Sequence, residues 1–167
     1  MTKWDYKFLK LAEYIADNWS KDPHIKVGAV VVDTKNPAEY YTGYNGFPKK
    51  IIDSEERYKQ KEIKHKIIIH AELNAILNSK RCLAGFTLYS TRFPCLKCVL
   101  AIIQVGIGLV VTYAPSKKDV WKHKSDYLTI VTLLIEADVP IVLIENDTVI
   151  SLDDFKTRVL KSAERET

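Results

Sequence analysis

Residues 70–113 read HAELNAILNSKRCLAGFTLYSTRFPCLKCVLAIIQVGIGLVVTY, and the apolar pattern changes period repeatedly along them. Residues 71–78 carry helical spacing and 86–90 form a short run of aromatic and aliphatic side chains. Residues 96–105 return to a helical pattern, and 109–113 are again a compact apolar run. Strands that alternate with helices at this pace imply a sheet with parallel members and helices on both faces, so the fold class is α/β.

Toward the N-terminus, Trp4, Phe8, Leu11, Ile15 and Trp19 recur at spacings of three and four, which predicts an amphipathic helix laying one buried stripe on a sheet face. After Ser20-Lys21-Asp22-Pro23, residues 26–32 form a continuous β-branched run, as a strand covered on both faces would. A turn at Asn36-Pro37 leads to a second strand through Tyr40, Tyr41 and Tyr44 that ends at Asn45-Gly46, and the two strands predict a hairpin. Residues 47–66 are polar. Asp53-Ser54-Glu55-Glu56 ahead of a Lys-rich stretch reads as a short exposed helix with a solvated charged face. Toward the C-terminus, 125–137 predict a helix, 141–145 a strand, and 151–163 a closing helix opened by Ser151 with Asp154 three residues on. There are no repeats, linkers or low-complexity segments, so residues 1–167 are expected to form a single domain, a three-layer α-β-α sandwich.

Composition narrows the function classes. Twenty-five basic against 21 acidic residues give +4, too weak for a dedicated nucleic-acid surface but compatible with a small anionic substrate. The three cysteines, Cys82, Cys95 and Cys98, are odd in number and two form a tight pair, which argues against a secreted disulfide framework and for a reducing cytoplasm. The start MTKWDYKFLK lacks a signal peptide's apolar centre, and no run approaches the roughly 18 apolar residues of a membrane span.

The chemistry lies in His70-Ala71-Glu72 and Pro94-Cys95-Leu96-Lys97-Cys98. Cysteines at i and i+3 share one helix face, and at a first turn the helix dipole and free N–H groups stabilise the thiolates that zinc requires. His70, at the start of another helix, supplies a third ligand. Three protein ligands leave one tetrahedral position open, the arrangement of a catalytic rather than a structural zinc. An imidazole and two thiolates cancel the ion's charge, yet zinc still lowers the pKa of bound water enough to furnish hydroxide near neutrality. Glu72 projects into the same cavity without binding the metal and can shuttle protons. Hydroxide attacks an amidine-like carbon, a ring nitrogen gains a proton, and the amine departs as ammonia. A lone C-x-x-C could equally be a redox pair or half of a structural site, and a lone H-A-E says almost nothing; together they are specific.

At these residues the chain resembles the cytidine and deoxycytidylate deaminase superfamily, whose zinc members carry H-x-E with P-C-x-x-C. Within it the chain is most similar to the deoxycytidylate deaminases. That likeness is carried by Ser20-Lys21-Asp22-Pro23 before Lys26-Val27-Gly28-Ala29-Val30, by Gly43-Tyr44-Asn45-Gly46, by residues 70–76, by Phe93-Pro94-Cys95 and by residues 102–107. The resemblance extends over residues 26–113. It implies a five-stranded mixed sheet between helices and one catalytic zinc held by His70, Cys95 and Cys98. It implies Glu72 as the proton shuttle in hydrolysis of dCMP to dUMP and ammonia, with zinc hydroxide attacking C4, in pyrimidine deoxynucleotide biosynthesis. Asn45 would meet the sugar hydroxyl and the Ala71 backbone the pyrimidine edge.

Selecting a 5′-monophosphate over a nucleoside requires cationic or hydrogen-bonding groups near the sugar. Lys26, where many relatives carry a basic residue before V-G-A, His65, and Tyr113, which ends the strand after the cysteine helix, are the candidates. His24 and His123 read as surface histidines and Cys82 as a small core residue. Some deoxycytidylate deaminases hold a second, structural zinc, but the remaining Cys and His residues here are dispersed, so one zinc is expected. The resemblance further implies a homo-oligomer, in many relatives a hexamer, activated by dCTP bound with Mg2+ and inhibited by dTTP. Residues 47–66 lie where such relatives place regulatory contacts, although Lys49-Lys50 stands in place of their Arg-Gly or Ala-Gly pair.

Rival readings are weaker. Free cytidine deaminases use cysteine where His70 stands. Transfer-RNA adenosine deaminases share both clusters but usually carry methionine where Lys97 stands and lack the insertion at 47–66. Riboflavin-pathway and guanine deaminases stay open. A non-enzymatic zinc module would have no use for Glu72 and would need a fourth protein ligand.

Overall fold

Gly28-Ala29-Val30-Val31-Val32 form strand β1 (Gly28–Val32), and all five residues are buried in the computed structural model of the protein, which describes residues 2–161. Branched side chains that alternate faces and meet solvent on neither belong in the middle of a sheet. β1 pairs antiparallel with β2 (Tyr40–Tyr44) on one side, completing the expected hairpin, and with β3 (Thr87–Ser90) on the other. β4 (Leu109–Tyr113) and β5 (Ile141–Glu145) follow β3 in parallel, and β6 (Thr148–Ile150) closes the far edge antiparallel to β5. The order is β2-β1-β3-β4-β5-β6.

The sheet is therefore mixed, as expected, but six-stranded rather than five-stranded. The additional strand follows β5 through Asn146 and Asp147, at φ 49° and 61°. Two successive left-handed residues match the right-handed twist of the flanking strands, and Asn and Asp tolerate that conformation.

Among the described residues the helices are α1 (Lys3–Trp19), α2 (Glu55–Lys59), α3 (Lys61–Ile67), α4 (Ala71–Ser79), α5 (Leu96–Gln104), α6 (Lys117–Lys122), α7 (Lys124–Glu136) and α8 (Leu152–Lys161). Residues 162 and 163 of the expected closing helix lie outside the described residues. α1 covers one sheet face, packing Phe8, Leu9 and Ala12 on Val30, Val32, Tyr89, Val111 and Ile144. α4, α5, α7 and α8 pack on the other, against Ala29, Val31, Leu88, Val110 and Leu143. The stripe read on α1 holds at Phe8 and Ile15, but Trp4 and Trp19 are 54% and 46% exposed, and the buried row runs through Leu9, Ala12 and Ala16 instead. Small residues line it because α1 lies against β1 so closely that a Cβ at Gly28 would strike the Ala12 carbonyl and the Ala16 amide. No helix among the described residues is long and apolar enough to cross a membrane.

A second close approach positions α4. A Cβ at Gly43 would collide with the Ala71 carbonyl and the Ala75 backbone, so α4 lies directly on β2. Two asparagines at i and i+4 fasten it there: Asn74 Nδ2 donates to the Tyr44 carbonyl at 2.7 Å and Asn78 Nδ2 to the Thr42 carbonyl at 3.1 Å.

Residues 47–66 are more than the solvated face read from their charge. Tyr58 is buried and stacks on Phe47 at 4.2 Å. Lys64 and Asp22, 6% and 1% exposed, form an ion pair with Nζ and Oδ2 at 2.5 Å. Oδ1 of the same carboxylate accepts the backbone N–H groups of His24 and Ile25 at 2.9 and 3.1 Å. The Lys-rich helix is thereby tied to the loop before β1.

Burial works to raise the Asp22 pKa, but the hydrogen bonds from Lys64, His24 and Ile25 prevail, and the carboxyl lies below its ordinary value. A pKa lower in the folded than in the unfolded chain contributes stability above the unfolded value, and that contribution is lost as pH falls through the folded one. Lys64→Ala, which strands the buried carboxylate, is expected to lose about 3–5 kcal/mol in urea unfolding at neutral pH. The stability gap between the wild type and Asp22→Asn should narrow as pH falls below about 4. A gap independent of pH would show that the pair carries no linked stability.

Candidate active site

Two helix N-termini face each other at the site. β3 runs into a short loop at residues 91–94, and Cys95 follows as the N-cap of α5. His70 is the N-cap of α4. Neither side chain caps its own helix, so both are available to groups across the gap. The connection before His70 is fixed by a paired bridge, Ile69 N–H to the Gly46 carbonyl at 2.9 Å and Gly46 N–H to the Ile69 carbonyl at 3.2 Å.

The three predicted ligands converge. His70 Nδ1 lies 3.3 Å from Cys95 Sγ and 3.5 Å from Cys98 Sγ, and the two sulfurs are 3.7 Å apart. A tetrahedral zinc with ordinary Zn–S and Zn–N bonds would set these edges at about 3.6 Å for sulfur to nitrogen and about 3.8 Å for sulfur to sulfur. The triangle therefore fits the ion without rearrangement, and the nitrogen and sulfur donor set suits it. His70, Cys95 and Cys98 form the one such group among the described residues. Cys95 is the readily ionised thiol: hydrogen bonds from Cys98 and His70 outweigh burial and bring its pKa down to about 4. Bonding to that thiolate, together with burial, pushes Cys98 up, and the bond to Cys95 raises His70.

Glu72 stands beside this triangle and outside it. Its carboxylate is 3% exposed, with Oε1 3.4 Å from the Ser90 hydroxyl and Oε2 3.6 Å from Cys98 Sγ. Burial raises its pKa above the ordinary carboxylate value. Ser90, the fully buried last residue of β3, is a contact that sequence reasoning missed. Its position just before Thr91-Arg92-Phe93-Pro94-Cys95 was the available clue.

A cavity of about 370 Å³ opens above these groups, and Asn45, His65 and Ala71 line it together with His70, Glu72 and Cys95. Asn45 is held by its own network: Oδ1 accepts the Val27 N–H at 2.8 Å and the Ser20 hydroxyl at 2.6 Å, while Nδ2 donates to the Ile25 carbonyl at 2.6 Å. One amide hydrogen is left over. Lys26 and Tyr113 are elsewhere. The Lys26 ammonium donates to the Asp17 carbonyl at 2.9 Å, near the end of α1. Tyr113 shares the strand parity of Val111, so it packs on the α1 face and donates its hydroxyl to Glu13. Cys82, read as a core residue, is exposed. His24 and His123 are exposed as read, but His123 also reaches the cavity, with Asp126 and Tyr127. These last residues lie beyond the stretch that carried any motif.

The model of the cytidine and deoxycytidylate deaminase zinc-binding region matches residues 2–114. An uncharacterized deaminase of Aliivibrio fischeri is 41% identical over 119 residues, 71% of this chain and 77% of its own length. The deoxycytidylate deaminase of Homo sapiens is 33% identical over 138 residues, 79% of this chain and 74% of its own. The crystal structure of dCMP deaminase from the cyanophage S-TIM5, in complex with dCMP and dUMP, shares the fold, with a TM-score of 0.66 at 22% identity over 86% of this chain and 99% of that one. With the family's zinc-binding region spanning the elements that build the ligand triangle, the chain belongs to the cytidine and deoxycytidylate deaminases and is a hydrolytic deaminase.

Proposed function

We propose that the protein hydrolyses dCMP to dUMP and ammonia, with His70, Cys95 and Cys98 holding one zinc and Glu72 moving the protons. The observation that carries the reading is the position of Glu72, a buried carboxylate in contact with the ligand triangle but not part of it. A structural zinc site gains nothing from such a group, whereas a hydrolytic deamination needs one. The deoxycytidylate deaminases among the relatives support the choice of substrate.

Zinc bound by the triangle supplies Lewis acidity that makes water an effective nucleophile near neutral pH. The residues of the chain do the remaining work. As water adds to C4 of the cytosine ring, Glu72 accepts its proton and delivers it to N3. Glu72 then takes the proton of the new C4 hydroxyl and passes it to the exocyclic amine. The C4–N bond breaks, the carbonyl forms, and ammonia leaves. Water and dCMP thus balance dUMP and ammonia.

Its raised pKa suits Glu72 to both directions of transfer, because burial leaves the carboxyl easier to protonate than a solvated one. The Ser90 hydroxyl holds Oε1, so Oε2 faces the reacting groups. As a ligand Cys98 would surrender its S–H, and Oε2 would lose the thiol donor beside it.

At the N-terminus of α4 the Ala71 N–H has no partner within the helix and can donate to the pyrimidine carbonyl. The spare amide hydrogen of Asn45 can donate to a sugar hydroxyl, and its rigid network fixes the direction. Ile25, Val27, Phe93 and Leu96 give the cavity apolar walls for the ring.

Ammonia release from dCMP by the zinc-loaded protein tests this reading, and adding Mg2+-dCTP or dTTP to the same assay tests the regulation that the family resemblance implies. Glu72→Gln should keep its fold and one zinc per chain while losing about 10²–10⁴-fold or more in turnover. Cys98→Ala should lose the metal as well. Undiminished turnover by Glu72→Gln would remove that residue from the mechanism. Turnover confined to deoxycytidine or to an adenosine-containing RNA stem-loop would change the substrate and leave the metal centre standing.

A further inference from the structure

The cavity has a buried floor and an exposed mouth. Glu72, at the floor, is 3% exposed, and Cys98 in contact with it is 2% exposed. A nucleotide whose reacting carbon meets them must place its phosphate at the opposite end, toward solvent. The charged side chains around the cavity above the floor are Asp22, Lys64, His65, Arg92, His123 and Asp126.

Lys64 is already committed. Its ammonium is buried against Asp22 at 2.5 Å, and the pair is neutral as a unit. Arg92 is the opposite case: its guanidinium is exposed and makes no hydrogen bond or ion pair with any described residue. The other described arginines are all engaged, Arg57 on the Ile52 carbonyl, Arg81 with Glu39 and Arg158 with Glu145. The imidazoles of His65 and His123 likewise have no partner among the described residues, and both stand on the same cavity. The fixed and unspent cation at the mouth is therefore Arg92.

We propose that Arg92, flanked by His65 and His123, receives the 5′-phosphate of the substrate and sets the preference for nucleotide over nucleoside. The inference rests on the dCMP reading above and replaces Lys26 and Tyr113 in the role expected from sequence. A guanidinium presents a planar fork that matches two phosphate oxygens, and it stays protonated at any working pH.

The loop that carries Arg92 is braced. The Arg92 backbone N–H donates to the Ser90 hydroxyl at 3.4 Å, and Ser90 also contacts Glu72. Phe93, the next residue, packs on Tyr127 and on Phe155, each with ring centroids 5.3 Å apart. A phosphate held by Arg92 is thus referenced to the same residue that holds the proton shuttle. Little backbone order has to be gained on binding. Among the described residues, Asp126 is the one carboxylate on the cavity besides Glu72 and the paired Asp22.

Calorimetric titration of the zinc-loaded protein with dUMP and with deoxyuridine separates the outcomes, alongside kcat/KM for dCMP. The wild type should bind dUMP much more tightly than deoxyuridine. Arg92→Gln should weaken dUMP by about tenfold or more while deoxyuridine moves little, and Arg92→Lys should recover part of the loss. If Arg92→Gln weakens both ligands equally, or leaves the dUMP preference intact, Arg92 does not read the phosphate. If the wild type itself shows no preference for dUMP, the nucleotide reading fails, and the Arg92 assignment fails with it.

Discussion

The site depends on backbone-to-backbone contact between α4 and β2. Because Gly43 has no side chain, α4 settles onto the strand until its first turn nearly touches it. Asn74 and Asn78 lock the helix there through strand carbonyls that would otherwise face solvent. That position fixes where the N-terminus of α4 points, and so where His70 and Glu72 stand. The β3-to-α5 connection delivers Cys95 and Cys98 to the same point from the far side of β1. A side chain at Gly43 would have to push α4 away from β2, and a shift of an ångström would open a ligand triangle whose edges are 3.3, 3.5 and 3.7 Å.

The opposite wall is built from polar groups that satisfy one another. Asp22 holds the turn at His24 and Ile25, Lys64 neutralises Asp22, and Asn45 ties the Ile25 carbonyl, the Val27 N–H and the Ser20 hydroxyl into one network. The bonds to Asn45 and the Lys64–Asp22 pair join segments distant in sequence, while those from His24 and Ile25 to Asp22 close a local turn. A buried ion pair is poor evidence for net stability, but here it fixes the shape of a wall that a hydrophobic substitute would leave free to shift. The wall is rigid where the sugar would lie, while the unpaired charges gather at the mouth.

Much of this was legible in the sequence because it rests on local periodicity or on residue chemistry. The unbroken branched run of β1 could only be an interior strand, and the change of period between residues 71 and 113 fixed the parallel part of the sheet. The metal triangle was legible because few arrangements use a histidine, a glutamate two residues on and a Cys-x-x-Cys together. What was not legible depends on three-dimensional neighbours. β6 has three residues and a polar start, too few to show a period, although Asn146-Asp147 marked its turn. Tyr113 ends a strand near the cavity, but its side chain follows the parity of Val111 and leaves by the other face. Lys64 looks in sequence like any lysine of a charged helix, and only its meeting with Asp22 makes it an interior residue. Arg92, His123 and Asp126 become neighbours through the fold alone.

Zinc-edge X-ray absorption of the metal-loaded protein reads the ligand set without depending on any substrate. The expected shell has about two sulfur ligands at ~2.3 Å and about two nitrogen or oxygen ligands at ~2.0–2.1 Å. One of the lighter ligands should be exchangeable solvent and should change on addition of a cytosine-ring transition-state analogue. A shell of four protein ligands, or one lacking both sulfurs, would contradict an open three-ligand centre at His70, Cys95 and Cys98.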